Sequence, residues 1–548
     1  MAFVNRYSSQ PTLAQETQIE GVNVVNEGVP SVVREAAEGI VLIVGEAMKG
    51  PYNVPTETEP NSETDFVANF GGYSPYLGIA KGYTSPGGVN GNMYVAAFEK
   101  TYDANVFVRV DLRCVWGGTT PFVLLGTITG ATASTTYTLA AGTRISATDS
   151  GSGTAVVMLD NDYTFTTDSS GDATVNCNVS AVTADLMPGT TAAHIAASAT
   201  WTIVDTQLLP GNITTSLLVF TNAGSAPNST CFGAPSILTQ YGNAIATAAT
   251  TISPGADADI ILSAFADPDS SLSAGGVSWT GGAIASLLYA HCVAFRAYGK
   301  GRRAIVFGAQ GDSPSTAANK VTNLTLANCK GASFMGYAWP WVQQFITAAG
   351  AEMTVPPNAW AATAMCAVNP EQNPGEPGIG AVQIIDALES VVNPVEADYI
   401  TLKNAGIMGF IIDKDTGVEI QSGVTTDTVT TPDQKVARFY DFQADTLSAF
   451  AKPYRKKLQT VKHKASFLNA LQVYLDGLVS LNDPDLQRIV DYAIDAVSGN
   501  NAASQGLNIY RVKVSEQQIP GFDFITFELS VGTEVEIAVS VTSSGNPS

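Results

Sequence analysis

The sequence predicts a multidomain protein of α/β and α+β class, with a mixed or parallel sheet covered by helices and an inserted all-β domain. The chain has 548 residues, which is more than one hydrophobic core usually serves. Apolar strand and helix patterns alternate after Pro254, as they do where helices cover a parallel sheet. Residues 116–232 instead contain short alternating runs separated by turns, which are typical of a sandwich or small barrel.

Composition excludes several classes of protein. Hydrophobic residues make up 45% of the chain, charged residues 14%, and the mean hydropathy is +0.12, which excludes a disordered chain. The apolar runs are too short to span a bilayer, so we expect no insertion into a membrane. The first residues, MAFVNRYSSQPTL, contain no apolar stretch of signal-peptide length, so we expect synthesis and folding in a cytoplasm.

The charge balance is strongly acidic. The chain has 27 Lys and Arg against 49 Asp and Glu, which gives a net charge of −22 and a pI near 4.4. Such a chain repels phosphate backbones at long range, so nucleic acid is not an expected partner. Low charge density with high apolar content fits a protein that buries surface against its own copies, or simply a large core.

The elements of the first half follow from short motifs. The run GIVLIVGE at 39–46 predicts a fully buried strand, because a β-branched run bounded by glycine fits the centre of a sheet. A helix opens at 61–66, with Ser62 or Thr64 as its cap, and ends at 70–73. Residues 106–110 predict a second strand.

The elements after Pro254 alternate. Strands are predicted at 259–263, 303–308 and 334–341, and helices at 282–298, 316–329 and 359–367. Helices at 461–478 and 485–497 each carry an apolar face, which for the first comprises Val461, Ala465, Leu468, Leu471, Leu475 and Leu478. Residues 525–531 and 535–541 alternate with period two, so they would form an exposed edge unless another strand pairs with them.

Few residues suggest chemistry. The six cysteines are widely spaced and the three histidines lie far apart, so we expect no metal site. The loop GAQGDS at 308–313 lies between a strand and a helix but lacks the lysine of a phosphate-binding loop, so an ordinary turn is the simpler interpretation. His291 and Cys292 are adjacent in an apolar helix and are expected in the core. We therefore predict no enzyme activity, no catalytic residue and no cofactor.

One charge feature stands out. Residues 452–464 contain six of the 27 Lys and Arg: Lys452, Arg455, Lys456, Lys457, Lys462 and Lys464. A basic patch on an acidic chain implies an anionic partner surface nearby, because the attraction acts within about a Debye length. A solvated helix face is the alternative.

Several short motifs follow one another along about 430 residues of the chain and leave out 116–232. They are IEGV at 19–22, VP at 29–30, IVGEA at 43–47, KGP at 49–51, TDF at 64–66, FGGY at 70–73, VPP at 355–357, NAGI at 404–407, TT at 425–426 and RFYDFQADTL at 438–447 followed by KP at 452–453. In their order and spacing, these motifs resemble those of contractile phage tail sheath proteins and the sheaths of related contractile injection systems.

The resemblance implies a domain organisation. An N-terminal arm would occupy 1–34, the α/β sheath core 35–115 and 233–395, and an inserted β-rich surface domain 116–232. A C-terminal domain facing the tube would occupy 396–532, followed by a C-terminal arm at 533–548. The extended arms would donate strands to neighbouring subunits, through Ile19, Val22, Val24, Val535, Ile537, Val539 and Val541.

The resemblance also implies a function. The chain would be a structural subunit of a virion tail, assembled in the host bacterial cytoplasm as a helical homo-oligomer of stacked hexameric rings around an inner tail tube. Its contraction would drive the tube through the host envelope for genome ejection, with energy stored at assembly. Its partners would be the tube protein, which would meet the basic patch, and the baseplate and tail terminator proteins.

Two further hypotheses accompany the resemblance. In a virion protein, Cys114, Cys177 and Cys231 could form disulfides after release from the cell, since they lie in or beside the insert. The other three cysteines lie in apolar helices, where a buried thiol is usual. The alternative function is a non-contractile surface-array or capsid-associated protein with a glycan-binding β insert.

Overall fold

The computed structural model describes most of the chain between residues 39 and 520. It covers residues 39–45, 47, 50–58, 63–70, 105–110, 122–141, 143–148, 154–159, 161–181, 200–203, 209–210, 213–214, 216–222, 237–248, 258–263, 272–274, 277–279, 283–297, 300–324, 330–346, 351–376, 387–388, 394–413, 417–454, 456–479, 487–498, 500–501 and 508–520. The strand-exchange residues predicted in both arms lie outside these residues, as do the strand predicted at 525–531, Arg455, Cys114 and Cys231.

An eight-stranded mixed sheet forms the centre of the molecule. Its strands, in spatial order, are β2 (Pro55–Thr58), β3 (Asn105–Arg109), β1 (Val41–Gly45), β12 (Ile260–Ser263), β15 (Arg303–Phe307), β16 (Met335–Trp339), β20 (Ile407–Asp413) and β21 (Gly417–Ile420). The strands from β3 to β20 are parallel, and β2 and β21 close the two edges antiparallel. The predicted mixed sheet covered by helices is confirmed.

Both faces of this sheet are buried, which explains the continuous apolar runs of its strands. Every residue of β1, β15 and β16 is buried. Helix α5 (Pro357–Cys366), whose ten residues are all buried, covers one face and brings Trp360 into a core with Ile43 and Phe307. The other face packs against α2 (Ile237–Thr247), α3 (Ala283–Ala297) and α6 (Glu396–Ala405).

Shorter elements complete this region. Helix α1 (Glu63–Phe70) brings Phe70 edge-on to Phe107, with ring centroids 4.7 Å apart. Strands β13 (Leu272–Ala274) and β14 (Val277–Trp279) form a hairpin, and β17 (Val342–Ile346) pairs with β18 (Ala351–Val355) and β19 (Ala387–Leu388). Across the described residues, none of the helices combines the length and apolarity that a membrane crossing requires.

A closed six-stranded barrel lies within residues 122–222. Its strands are β4 (Phe122–Ile128), β6 (Arg144–Thr148), β7 (Thr154–Leu159), β9 (Ala173–Ala181), β10 (Thr200–Ile203) and β11 (Leu218–Asn222), and β5 (Thr136–Leu139) pairs separately with β8 (Tyr163–Thr166). The barrel has a hydrophobic core of its own, with Trp201 and Phe220 fully buried. The first and last strands pair, and Leu124 lies opposite Asn222.

The helix predicted at 316–329 is partly wrong. Helix α4 (Pro314–Asn319) begins earlier, because Ser313 caps it by accepting a hydrogen bond from the Thr316 amide at 3.1 Å. At Lys320–Leu324 the chain continues as a π-helix. The Lys320 side chain turns back to form a buried ion pair with Asp312. Residues 325–329 lie outside the described chain.

The last region contains α7 (Gln434–Ala451), α8 (Val461–Val479), β22 (Ile489–Asp495) and β23 (Lys513–Gln518). The helix predicted at 485–497 is wrong, because Ile489–Asp495 is a strand that pairs antiparallel with β23. Its Ile and Val residues favour a strand once a partner strand is present. The predicted face of α8 is also too long, since Val461 is 87% exposed and burial concentrates at Leu471, Leu475 and Leu478.

Candidate interaction surface

The predicted basic residues lie in the connection between α7 and α8 and in the first turn of α8. A 3-10 turn at Lys452–Tyr454 follows α7, and Lys456 then adopts a left-handed backbone with φ of 66°. The Thr460 hydroxyl accepts a hydrogen bond from the His463 amide at 3.2 Å, as an N-cap of α8. The His463 ring donates through Nδ1 to the Leu458 carbonyl at 2.7 Å, which fixes the loop between the two helices.

The structure brings five of the six predicted cations together here. Lys452, Lys456 and Lys462 are exposed, and Lys457 and Lys464 are half-buried. Among the described residues, these lysines form no ion pair with a carboxylate. The contact of these lysines with an anionic partner, predicted from the sequence, stays a prediction.

Aromatic side chains that the sequence analysis missed lie beneath these lysines. They form a cleft of about 530 Å³ between the end of α7, the loop 456–459, the start of α8 and residues 508–514. The Phe467 ring lies 4.9 Å from both Phe450 and Tyr454, and 6.3 Å from Tyr510. The sequence did contain a signal for this cluster, because Phe450 and Tyr454 are four residues apart at a helix end and such residues are neighbours on a helix surface.

Two of the lysines lie over these rings. The Lys457 ammonium is 5.4 Å from the centroid of the Tyr454 ring, and the Lys464 ammonium is 4.9 Å from that of Tyr510. Both distances are within the range of cation–π attraction. Beside them, Leu458 is 77% exposed, so the surface combines cationic, aromatic and aliphatic groups. Of these groups, the aromatic side chains are the ones that are enriched at surfaces that bind another protein.

The hairpin of β22 and β23 is the second exposed feature. In the described part of the chain these strands pair only with each other, and one face packs on α8 through Ile489 and Val514. The alternating exposure of β23 leaves Lys513, Ser515 and Gln517 in solvent. The hairpin therefore presents backbone groups at its outer edges, to which another strand can be added.

A buried ion cluster ties α7 to the central sheet. Asp441, which is 4% exposed, accepts from Arg296 at 2.5 Å and from Arg303 at 2.6 Å. Arg303 also donates to Gln434. The Gly301 amide donates to Asp445 at 2.6 Å. These bonds fix the orientation of the helix that leads to the basic surface.

Burial shifts two pKa values near this junction. Burial raises the pKa of Asp445 to about 6, against the opposing effects of the Gly301 amide and the Lys300 charge. Burial and the adjacent Arg302 charge lower the pKa of His291 to about 3, and its Nε2 lies 2.9 Å from the Arg302 guanidinium. His291 is therefore a neutral core residue at neutral pH.

The loop GAQGDS is filled by the protein's own groups. The indole of Trp339 donates to the Asp312 carbonyl at 2.9 Å, and that of Trp341 donates to the Gly308 carbonyl at 3.1 Å. With the Asp312–Lys320 ion pair, these bonds make the loop part of the packing around β16. Nothing in its geometry is aimed at a phosphate.

The described cysteines are buried free thiols. Cys177 is fully buried in the barrel core, where burial raises its pKa to about 12, and the disulfides predicted for Cys114, Cys177 and Cys231 stay a prediction. Cys292 and Cys366 are buried free thiols too. Over the residues that the structure describes, no group of three His, Cys, Asp or Glu side chains is placed to hold a metal ion.

No protein-family model and no curated protein matches the chain. Among solved structures, the chain is similar to the anti-feeding prophage helical sheath in the contracted state, with 12% identity, 93% of this chain and 99% of that chain covered, and a TM-score of 0.49. It is similar to the sheath tail protein from Desulfitobacterium hafniense, with 13% identity, 87% and 93% coverage, and a TM-score of 0.44.

A third similar structure is a chain of the anti-feeding prophage baseplate, with 13% identity and a TM-score of 0.37. The match covers 46% of this chain and 66% of that chain. All three TM-scores lie below 0.5. The solved structures that the chain matches are nevertheless from the class of assemblies that the sequence motifs resemble, contractile injection systems and their sheaths.

Proposed function

We propose that this chain is a structural subunit of a contractile tail sheath, which polymerises helically around an inner tube. The observation that carries the proposal is the cluster of five described lysines at 452–464, which form no ion pair with any other described residue, on a chain of net charge −22. Cations collected in one place repel one another, which opposes folding of the chain unless an anionic partner offsets the repulsion. The concentration of positive charge is explained by a partner with an acidic outer surface, which the inner tube would supply.

The hairpin of β22 and β23 supports the same proposal. A mesh of subunits requires a sheet that accepts strands from neighbours, and both strands of this hairpin have outer edges without a partner among the described strands. The arms at 19–25 and 533–541 would be the donors, and the apolar residues of the second arm alternate with period two. Main-chain hydrogen bonds would then hold the lattice while the linkers allow subunits to rotate.

The proposed cycle needs neither a nucleotide nor an active site. Subunits would assemble in an extended array on the tube, between the baseplate and a terminator at the opposite end. Release at the baseplate would let the array shorten and drive the tube through the host envelope, in a phage for genome ejection. The buried ion cluster at Asp441 would keep the lysine surface in a fixed orientation to the sheet during this movement.

Charge reversal tests the tube contact. We expect that Arg455→Glu, Lys456→Glu and Lys457→Glu together abolish co-assembly with the tube protein of the same particle, because attraction becomes repulsion at the contact. Co-sedimentation and negative-stain electron microscopy measure this directly. The matched control reverses three exposed lysines elsewhere, Lys330, Lys403 and Lys513, and changes the net charge equally.

Normal tube binding by the first variant would mean that the surface is only a solvated helix face. Equal loss in both variants would indicate a general charge effect. Removal of 533–548 tests the strand exchange separately, and a normal extended sheath from that variant would contradict it. Flat arrays of the unmodified chain, imaged alone, would favour a surface-array protein.

A further inference from the structure

The aromatic cleft beneath the lysines carries an inference that does not depend on the proposed function. Its floor consists of Phe450, Tyr454, Phe467 and Tyr510, and its rim carries Lys456, Lys457 and Lys464. Among the described residues that line it, none is an Asp or Glu. A well-matched occupant therefore combines aromatic or aliphatic side chains with carboxylates.

The chain contains such a segment directly after its last described strand. Residues 521–529, with the sequence GFDFITFEL, hold three phenylalanines and the carboxylates of Asp523 and Glu528. Lys513 is the last Lys or Arg of the chain, so nothing in this segment repels the lysines of the cleft. Its composition complements the cleft in both charge and apolar character.

The segment is also close enough to reach the cleft. Val514, on β23, lines the cleft, and β23 ends four residues later at Gln518. Pro520 and Gly521 form a dipeptide that is typical of a turn. After a reversal there, about five extended residues at roughly 3.3 Å each return over the distance from Gln518 to Val514.

We propose that residues 521–529 dock in the cleft of the same subunit. The phenylalanines contact the aromatic floor, and Asp523 and Glu528 lie near the lysines of the rim. The cleft thereby divides the basic surface. Lys464 serves the docked segment, whereas Lys452 and Lys462, which do not line the cleft, remain available to a partner.

Photocrosslinking of the full-length chain tests the docking. The photoreactive residue p-benzoylphenylalanine replaces Phe524 and preserves an aromatic side chain. After irradiation of the unassembled protein, digestion and mass spectrometry, we expect adducts to residues 447–471 or 508–514. The same photoreactive residue at Val541 is expected to give no adduct in the cleft. The mass of the product on a denaturing gel distinguishes attachment within a subunit from attachment between two copies.

Matched charge variants on α8 sharpen the test. Lys464→Glu is expected to lower the yield of cleft adducts about fivefold, the effect of exchanging one exposed ion pair for repulsion. Lys462→Glu, two residues away and outside the cleft, is expected to leave it unchanged. Glu528→Lys in the Lys464→Glu background is expected to restore the yield.

Adducts found only outside the cleft, or none in a folded chain, would overturn the proposal. An equal loss in the Lys462→Glu and Lys464→Glu variants would do so too, because the contact would then not be local. The experiment contains no tube protein, so its failure is distinguishable from failure of the proposed function.

Discussion

At the scale of single residues, Asp445 makes stability depend on pH in an unusual direction. Its pKa is raised by burial to about 6, from an ordinary value of 3.8. The folded state therefore binds more protons than the unfolded state between these values, and the contribution of this group to stability falls as the pH rises from 4 to 6. Buried His291 has the opposite slope, because its lowered pKa makes acid destabilising.

The difference between the wild type and Asp445→Asn isolates this contribution. We expect the variant to gain about 1–2 kcal/mol relative to wild type between pH 4 and pH 7, since asparagine still accepts from the Gly301 amide but carries no charge to bury. Urea unfolding across this pH range measures it. The exposed Asp491→Asn is the control and should follow the wild type. A constant difference at all pH values would contradict the assignment.

The sequence indicated the location of the lysine surface but not the residues that support it. Asp441 is linked to Arg296 and Arg303, which lie 145 and 138 residues away along the chain. No local pattern marks such a pair, although a carboxylate between Tyr440 and Phe442 on an amphipathic helix was a hint. The lysines themselves were visible because their charge contrasts with the whole chain.

At the scale of elements, α5 has little tolerance for added side-chain volume. All ten of its residues are buried, against β12, β15 and β16. We expect Ala364→Leu to lower the free energy of unfolding by about 1–3 kcal/mol, because the extra methylenes have no space. Ala397→Leu, on the exposed side of α6, is the matched control and should change stability by less than about 0.5 kcal/mol.

Thermal or urea denaturation monitored by tryptophan fluorescence measures both variants, since Trp360 lies in α5. Similar stability of the two variants would mean that α5 can move away from the sheet. The alanine-rich sequence predicted this helix but not its burial on every side, because a helix covered all round lacks an amphipathic pattern.

The hairpin of β22 and β23 shows why the last region was harder to predict. The apolar residues of 485–497 fit a helical period, and nothing nearby identified a partner strand. The partner strand, β23, begins only at Lys513, so residues 496–512 separate the two strands in the sequence. Tertiary pairing therefore overrode the local pattern, as it does most readily for residues such as Ile489 and Val490 that favour strands.

At the scale of the whole molecule, the barrel is expected to be removable. Leu124 on the first barrel strand lies opposite Asn222 on the last, so the chain enters and leaves the barrel at neighbouring points. The barrel core is also a cluster separate from the two clusters of the central sheet. We expect that replacing 122–222 by a short Gly-Ser linker leaves the rest of the protein folded.

Near-ultraviolet circular dichroism and a cooperative thermal transition measure this outcome. As a contrast, replacement of 342–355 should abolish the transition, since Val342 belongs to the core of the central sheet. Loss of the transition in the barrel deletion would contradict the proposed division into domains.

The edges of the central sheet have a consequence for polymerisation. Each edge ends in a four-residue antiparallel strand, and one of these, β2, begins with a proline. Edges so short offer little template to another chain, so the largest sheet is protected from uncontrolled stacking with its own copies. In the proposed array, where copies of the chain are crowded together, this protection would keep the central sheet out of contacts between subunits and leave those contacts to other surfaces.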